Sequence, residues 1–410
     1  MIKNSTKNGG ASNGIDKIDE LLTRGVDKIY PSREELEQVL RSGKKLKLYQ
    51  GFDPTGDKLH LGHMVGLRKL AAWQSLGHHV IFLIGDGTGQ AGDPSGKTSA
   101  REKFHTREEL RQNAKDYVMQ AEKIIKFDGE NPVEILYNGD WLNELKLADI
   151  FNIAQNFSLQ QLEERDLYRE RKKRGEEVNF REFLYPLLQA YDSVAMDVDL
   201  ELGGSDQTFN MLRGRDLMKT MKGKEKFVMT TPLLSDKTGR KIGKTEGNAI
   251  ALNDDPQELF GKIMSLPDEV VAQCFECLTT VPMDKVKEVT KEMAAGTNPM
   301  KYKKELAHQI IAELNDENSA REAEETFTRT FQRGEIPEKM EEMKGDTLMN
   351  AAVANGVVSS KTNFRKLVEE NAVTNLDSGD TVLDPNLIPE SGTRFRIGKK
   401  RFGKFIVVKK

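Results

Sequence analysis

Cysteine, tryptophan and histidine are scarce in this chain, at two, two and six among 410 residues. Two cysteines exclude a disulfide framework and suit a reducing cytoplasm. No apolar run is long enough to cross a bilayer, so no membrane-spanning helix is expected. The opening MIKNSTKNGGASNG lacks the apolar core of a signal peptide, and residues 1–15 are expected to form a disordered leader. A strong charge of either sign is missing too: 62 basic against 65 acidic residues leave a net charge of −3, which favours no class of partner. Internal repeats are absent.

What is present is the composition of a globular chain, 37% hydrophobic and 31% charged, with a length that suits two or three domains. KLKLYQGF (Lys45 to Phe52) alternates like a strand. LGHMVGLRKLAAWQSLG (Leu61 to Gly77) has helical spacing, and VIFLIGD (Val80 to Asp86) is the continuous apolar run of a buried parallel strand. Thr106 to Ile125 reads as an amphipathic helix opening with a Thr-x-x-Glu capping box, and VEILYNGDWL (Val133 to Leu142) as the next strand. This order predicts a doubly wound, Rossmann-like α/β domain with a parallel sheet, spanning 16–250. Helices rich in Glu, Lys and Ala predict an α-helical domain over 251–333. A polar link over 334–346 leads to a small α+β domain over 347–410. The last 17 residues carry eight Lys or Arg and no acid, interleaved with Phe395, Phe402 and Phe405. That is either a nucleic-acid footprint or a solvated terminal hairpin.

Three stretches suggest chemistry. GDGTGQAGDPSGKTS (Gly85 to Ser99) imitates two phosphate loops and satisfies neither. The region near Glu108 is a helix start and offers no strand-end acid to hold a ribose, and the P-loop spacing from Gly92 is one residue short. What remains is a glycine-rich loop at the carboxyl end of a strand, where open α/β sheets bind ligands. Asp93, Lys97 and Arg101 in and beside it call for a ligand with both a cationic and an anionic part. In GFDPTGDKLHLGH (Gly51 to His63), His60 and His63 share one face at a helix start, where unpaired N–H groups suit phosphate. No further set of metal ligands accompanies them. SDKTGRKIGKTEGN (Ser235 to Asn248) puts Lys241 and Lys244 in a glycine-rich loop. Cys274 and Cys277 form a C-x-x-C with no second pair and read as packed thiols; His78, His79, His105 and His308 follow no pattern.

Together and in this order the stretches acquire a joint meaning. His60-Leu61-Gly62-His63 resembles the HIGH motif of class I aminoacyl-tRNA synthetases, and Lys241-Ile242-Gly243-Lys244-Thr245 resembles their KMSKS loop. YQGFDPTGDKLHLGH, GDPSGK, YPLLQAYDS and GGSDQ resemble the tyrosyl-tRNA synthetases, over nearly the whole chain beyond the leader. GVVSSKTNFRKLVEENAV resembles the ribosomal-protein-S-four-like RNA-binding domain, with Lys361, Arg365 and Lys366 on its second helix.

The resemblance implies an enzyme that couples tyrosine to ATP and transfers it to tRNA(Tyr), as a cytoplasmic homodimer. It implies that Asp192 and Tyr49 bind the substrate phenol, and that Tyr185, Gln189 and Asp93 hold its α-ammonium group, with Gln207 beside them. Tyr185, Gln189 and Asp192 would form one polar stripe, with Pro186 either kinking or starting their helix. His60, His63 and Thr55 would act on the ATP phosphates, and Lys97, Arg101, Lys241 and Lys244 on the pyrophosphate. Gln50, Gly51, Asp53, Gly62, Gly204 and Asp206 would complete the ATP site. Magnesium would arrive with ATP, with no protein metal site. The rivals are a tryptophanyl-tRNA synthetase, against which Asp192 and the RNA-binding module argue, a nicotinamide-dependent oxidoreductase, against which the missing ribose acid argues, and a pure RNA-binding protein, against which the intact His and Lys pairs argue.

Overall fold

A computed structural model describes residues 16–93, 104–163, 166–177, 179–236, 242, 249–332, 340–398 and 401–407. The chain divides into two compact units, 1–317 and 318–410.

The first unit is built on strands β1 (Lys28–Tyr30), β2 (Lys47–Phe52), β3 (His79–Ile84), β4 (Glu134–Tyr137), β5 (Leu200–Gly204) and β6 (Phe227–Thr231). Their order is β1-β6-β5-β2-β3-β4; all neighbours run parallel except β1, which pairs antiparallel with β6. The chain winds outward from β2 through β3 to β4, then returns to β5 on the other side of β2. The doubly wound sheet is therefore as the sequence predicts, and its winding reverses between β2 and β5. The carboxyl ends of these two strands flank the crevice where such sheets bind ligands.

Burial explains the strand assignments. Val80 to Ile84 are all buried, as expected for a strand covered on both faces. The Thr106 capping box forms as predicted: Thr106 Oγ1 accepts from Glu109 N (3.2 Å) and Glu109 Oε2 from Thr106 N (2.9 Å). The helix it opens is Arg107–Ala121, shorter at its end than the apolar spacing suggests. Pro186 lies inside helix Phe180–Met196, which begins at the Asn179 cap. A proline cannot donate to the carbonyl four residues back. Here the Glu182 carbonyl accepts instead from the Tyr168 hydroxyl at 3.1 Å, so the helix passes through the proline without an orphaned acceptor. Beyond residue 251 the unit is helical, with Pro256–Met264, Val271–Leu278, Met283–Ala294 and Pro299–Leu314.

The second unit contains helix Glu317–Phe327 from its second residue on. Strands β7 (Glu341–Gly345), β8 (Val373–Asn375), β9 (Arg394–Ile397) and β10 (Arg401–Val407) form a sheet of order β7-β10-β9-β8. Helices Leu348–Ala354 and Lys361–Glu369 are the two short helices read from the sequence. One expectation needs correction: residues 341–345, read as the end of the link, form β7, whose Met343 is fully buried in the local core. Phe395 and Phe405 are wholly buried, while Arg394, Arg396, Arg401 and Lys404 alternate with them on the outside. Period-two alternation puts the aromatic set in the core and leaves the charges in solvent.

Candidate functional site

The crevice between β2 and β5 is surrounded by residues from five segments. β2 supplies Tyr49 and Gln50 and is followed by Asp53 and Thr55; β3 leads into Gly85, Asp86 and Thr88; the turn after β4 supplies Asn138 and Trp141. Helix Phe180–Met196 supplies Tyr185, Gln189, Asp192 and Ser193, and the turn after β5 supplies Asp206 and Gln207.

Asp192 is 2% exposed. Its two carboxylate oxygens accept from Asn138 Nδ2 (3.0 Å) and Trp141 Nε1 (2.8 Å). Burial pushes its carboxyl well above the ordinary range, and the two donors pull against that shift. Asn138 is a junction. Its Oδ1 accepts from Gly87 N (2.8 Å), and its Nδ2 also donates to Thr88 Oγ1 (2.9 Å). Thr88 Oγ1 in turn donates to Asp53 Oδ1 at 2.8 Å. The fully buried Asp86 holds the turn from below, accepting from Gly139 N, Arg107 Nε and Arg111 Nε at 2.7–2.9 Å.

This packing shows what the glycine run does. A Cβ on Gly85 would lie 1.9 Å from Asp53 Oδ1, so the loop's approach to Asp53 requires glycine there. Gly92, at φ +87°, ends a helix of only four residues, Thr88–Ala91, too short for a dinucleotide fold.

Tyr49 is buried, its hydroxyl 3.0 Å from Ser193 Oγ, and burial with the carboxylates of Glu201 and Asp192 raises its phenol well above the usual value. Tyr185 is raised likewise by burial and by Asp53 and Asp93. Gln189, Asn210, Gln207 and Asp93 form a chain. Asn210 Nδ2 donates to Gln189 Oε1 and Gln207 Oε1, both at 2.9 Å, and Gln207 Nε2 donates to Asp93 Oδ2 at 3.0 Å. The structure thus brings Tyr49, Asp53, Asp93, Tyr185, Gln189, Asp192 and Gln207 into one hydrogen-bonded and electrostatic network.

At the crevice mouth, His60 caps helix Leu61–Ser75. Its Nδ1 accepts from Gly62 N (3.1 Å), and His63 Nδ1 accepts from His60 N (3.2 Å); the rings stack at 3.9 Å. A neutral imidazole that accepts at Nδ1 carries its proton on Nε2, so each ring can donate from that nitrogen. The segment after the lysine loop is tied to this motif: Leu61 N donates to Ile250 O (3.1 Å) and Leu252 N to Leu59 O (2.9 Å). Ile242 N donates to Leu234 O at 2.7 Å. Thr55 N donates to Asp53 O at 2.8 Å, and Gly51 follows Gln50 on β2. Among the described residues nothing hydrogen-bonds the buried Gln50 Oε1. A Cβ on Gly204 would stand 2.7 Å from Asp206 Oδ1. Lys97, Arg101, Lys241 and Lys244 lie outside the described residues. Among the described residues no group of three or more His, Cys, Asp or Glu could hold a metal.

Sequence reasoning missed Thr88, Asn138, Trp141, Ser193, Glu201 and Asn210. Only N-G-D-W after a strand hinted at Asn138 and Trp141.

A nucleotide-type crevice with a helix-capping histidine pair and a buried polar pocket is the ground for comparison with known proteins. The family described as tRNA synthetases class I (W and Y) matches residues 41–332, and the chain belongs to it. Among curated relatives, a tyrosine–tRNA ligase of Dehalococcoides mccartyi is 39% identical over 95% of this chain and 99% of its own length. One from Photobacterium profundum is 39% identical over 93% and 96%. A solved structure, a C-terminally truncated mitochondrial tyrosyl-tRNA synthetase of Coccidioides posadasii, is similar with a TM-score of 0.60 at 26% identity, over 75% of this chain and 91% of its own.

Proposed function

We infer that this chain is a tyrosine–tRNA ligase. It joins L-tyrosine to ATP, releasing pyrophosphate, and passes the tyrosyl group to the 3′-terminal adenosine of tRNA(Tyr). The observation that carries this reading is the two-ended pocket. Asp192 and Tyr49, held by Asn138, Trp141 and Ser193, are hydrogen-bonding groups for a phenol. Tyr185, Gln189, Gln207 and Asp93 supply acceptors and negative charge for an α-ammonium group. An indole has no hydroxyl for Asp192 and Tyr49 to bind, so the pocket favours tyrosine over tryptophan.

The substrate carboxylate is itself the nucleophile. Its oxygen bonds to the α-phosphorus as the bond to the pyrophosphate oxygen breaks, and no covalent enzyme intermediate is needed. The protein positions the reactants and stabilises charge. His60 and His63 donate Nε2–H to phosphate at the helix start, next to Thr55. Gln50, Gly51, Asp53, Gly62, Gly204 and Asp206 hold the nucleotide, and magnesium enters with the ATP phosphates. Lys97, Arg101, Lys241 and Lys244 meet the charge that develops on pyrophosphate. The tie between His60 and Ile250–Leu252 brings the segment after the lysine loop beside the histidine motif, which supports this reading.

No helix among the described residues is long and apolar enough to cross a membrane, and we place the enzyme in the cytoplasm. Leu147, Phe151, Leu159 and Phe180 expose more than half of their surface, the apolar composition of a homodimer contact. The domain scheme is a catalytic α/β domain, a helical tRNA-binding domain and an RNA-binding tail whose Lys361, Arg365 and Lys366 are exposed.

Exchange of labelled pyrophosphate into ATP, tried across amino acids without tRNA, should proceed with tyrosine. Exchange with tryptophan alone overturns the reading. Lys244→Ala should lower kcat by orders of magnitude and preserve tyrosine affinity, because the loop acts mainly in the transition state.

A further inference from the structure

Behind the pocket lies an ion pair that the mechanism above does not use. Lys226 precedes β6, Glu201 is on β5, and both are 2% exposed or less. Lys226 Nζ donates to Glu201 Oε2 and, at 2.7 Å, to Ser193 Oγ. Ser193 Oγ is 3.0 Å from the Tyr49 hydroxyl and 3.4 Å from Glu201 Oε2. Glu201 Oε1 accepts from Gln189 Nε2 at 3.0 Å. The pair therefore reaches one residue at each end of the pocket.

The directions of these bonds follow from what each group is able to do. An ammonium only donates, so Ser193 Oγ must accept from Lys226. Its single proton goes to the Glu201 carboxylate at 3.4 Å, which leaves its second lone pair to accept from the Tyr49 hydroxyl at 3.0 Å. The proton of Tyr49 is thereby held toward Ser193, and a lone pair of its oxygen is left for the pocket. A carboxylate accepts, so Gln189 must present its Nε2 to Glu201 and turn its Oε1 the other way, where Asn210 Nδ2 meets it. A carbonyl oxygen has a second lone pair for a cation.

We propose that the buried Lys226–Glu201 pair is the positioning device of the tyrosine pocket. It fixes the hydroxyl direction of Tyr49 through Ser193 and the amide orientation of Gln189 directly. One end of the pocket then offers an acceptor to a phenol O–H and the other a carbonyl to an α-ammonium group. The inference rests on the tyrosine-ligase reading.

Removing one member of a buried pair strands the other charge, so the test uses two gentler changes. Ser193→Ala breaks the link to Tyr49 and keeps the pair. The double variant Lys226→Met with Glu201→Gln removes both charges at similar volume. Thermal melts report folding. Pyrophosphate exchange with tyrosine and with phenylalanine, and KM for ATP, report function. Ser193→Ala should lower the tyrosine-to-phenylalanine ratio of kcat/KM about tenfold or more, with phenylalanine use and the KM for ATP unchanged. The double variant should lose about tenfold with phenylalanine, because Gln189 serves the ammonium group both amino acids share, and more with tyrosine, because Tyr49 loses its orientation as well. A folded Ser193→Ala protein with the wild-type ratio overturns the proposal, whether or not the double variant folds. Equal losses for tyrosine, phenylalanine and ATP indicate a merely structural role and also overturn it. Wild-type protein without tyrosine-dependent exchange instead defeats the functional reading on which it rests.

Discussion

Asp192 is a buried carboxylate whose two oxygens already satisfy two donors, the buried Asn138 Nδ2 and the partly buried Trp141 Nε1. Deleting it leaves one Asn138 N–H unpaired, at about 1–3 kcal/mol, and costs less at Trp141, which water can reach. Asp192→Ala should therefore lower the melting temperature and cut tyrosine-dependent exchange by about two orders of magnitude or more, while the KM for ATP stays near wild type. An unchanged tyrosine KM and rate would reduce the polar stripe to a helix surface. His78 makes a pH-dependent case. Its Nδ1 accepts from Leu46 N at 3.0 Å, and burial lowers its pKa from 6.5 to about 4. Between those values the unfolded chain holds the extra proton, so stability falls as pH drops from 6.5 toward 4. His78→Gln should flatten that slope, measured as the change in urea midpoint between pH 7 and pH 5; equal slopes in both proteins would exclude His78 as the titrating group. At this scale the sequence exposed the residues that sit in recognisable strings, such as Asp192 and His60. It did not expose Asn138, Ser193, Glu201 or Lys226. Each is an ordinary polar residue until the fold buries it beside a partner distant in the chain, as Lys226 is from Glu201 and Ser193.

Helix Leu61–Ser75 sets two effects of one glycine against each other. Gly66→Ala in a helix interior gains about 1 kcal/mol of propensity. A Cβ there, however, would stand 2.3 Å from Gln50 Oε1, so the Gln50 side chain must swing off the helix. If Gln50 contacts ATP, Gly66→Ala should raise the KM for ATP several-fold at unchanged tyrosine KM. A more stable protein with an unchanged KM for ATP would remove Gln50 from the nucleotide site. Elements with a strong period, such as β3 and helix Arg107–Ala121, were legible because burial on one or both faces writes that period. β1, with three residues, and β7, with the polar composition Glu-Glu-Met-Lys-Gly, were not. A strand that short or that polar is defined by its pairing partner, here β6 and β10.

The two compact units allow the two half-reactions to be separated. β7 pairs with β10, and Met343 lies in the core of the second unit, so a cut at Gly345 would leave a broken sheet partner behind. Ending the chain between 332 and 340 removes β7 to β10 as one set. Everything proposed for tyrosine and ATP lies before that cut. The truncated protein should keep tyrosine-dependent pyrophosphate exchange, because its sheet and pocket belong to the first unit. Charging of tRNA should fall sharply. The removed part carries exposed Lys361, Arg365, Lys366, Arg396, Arg401 and Lys404, while its aromatic residues Phe395 and Phe405 are in the core. If it binds RNA, it does so through charge on phosphate more than stacking on bases. Such binding releases counterions, so tRNA affinity of the full chain should fall steeply with salt, and the truncated chain should be weaker with a shallower slope. Affinities at two salt concentrations decide the point. Equal slopes in the two proteins, or full charging without the residues beyond that cut, would show that the tail does not hold the tRNA.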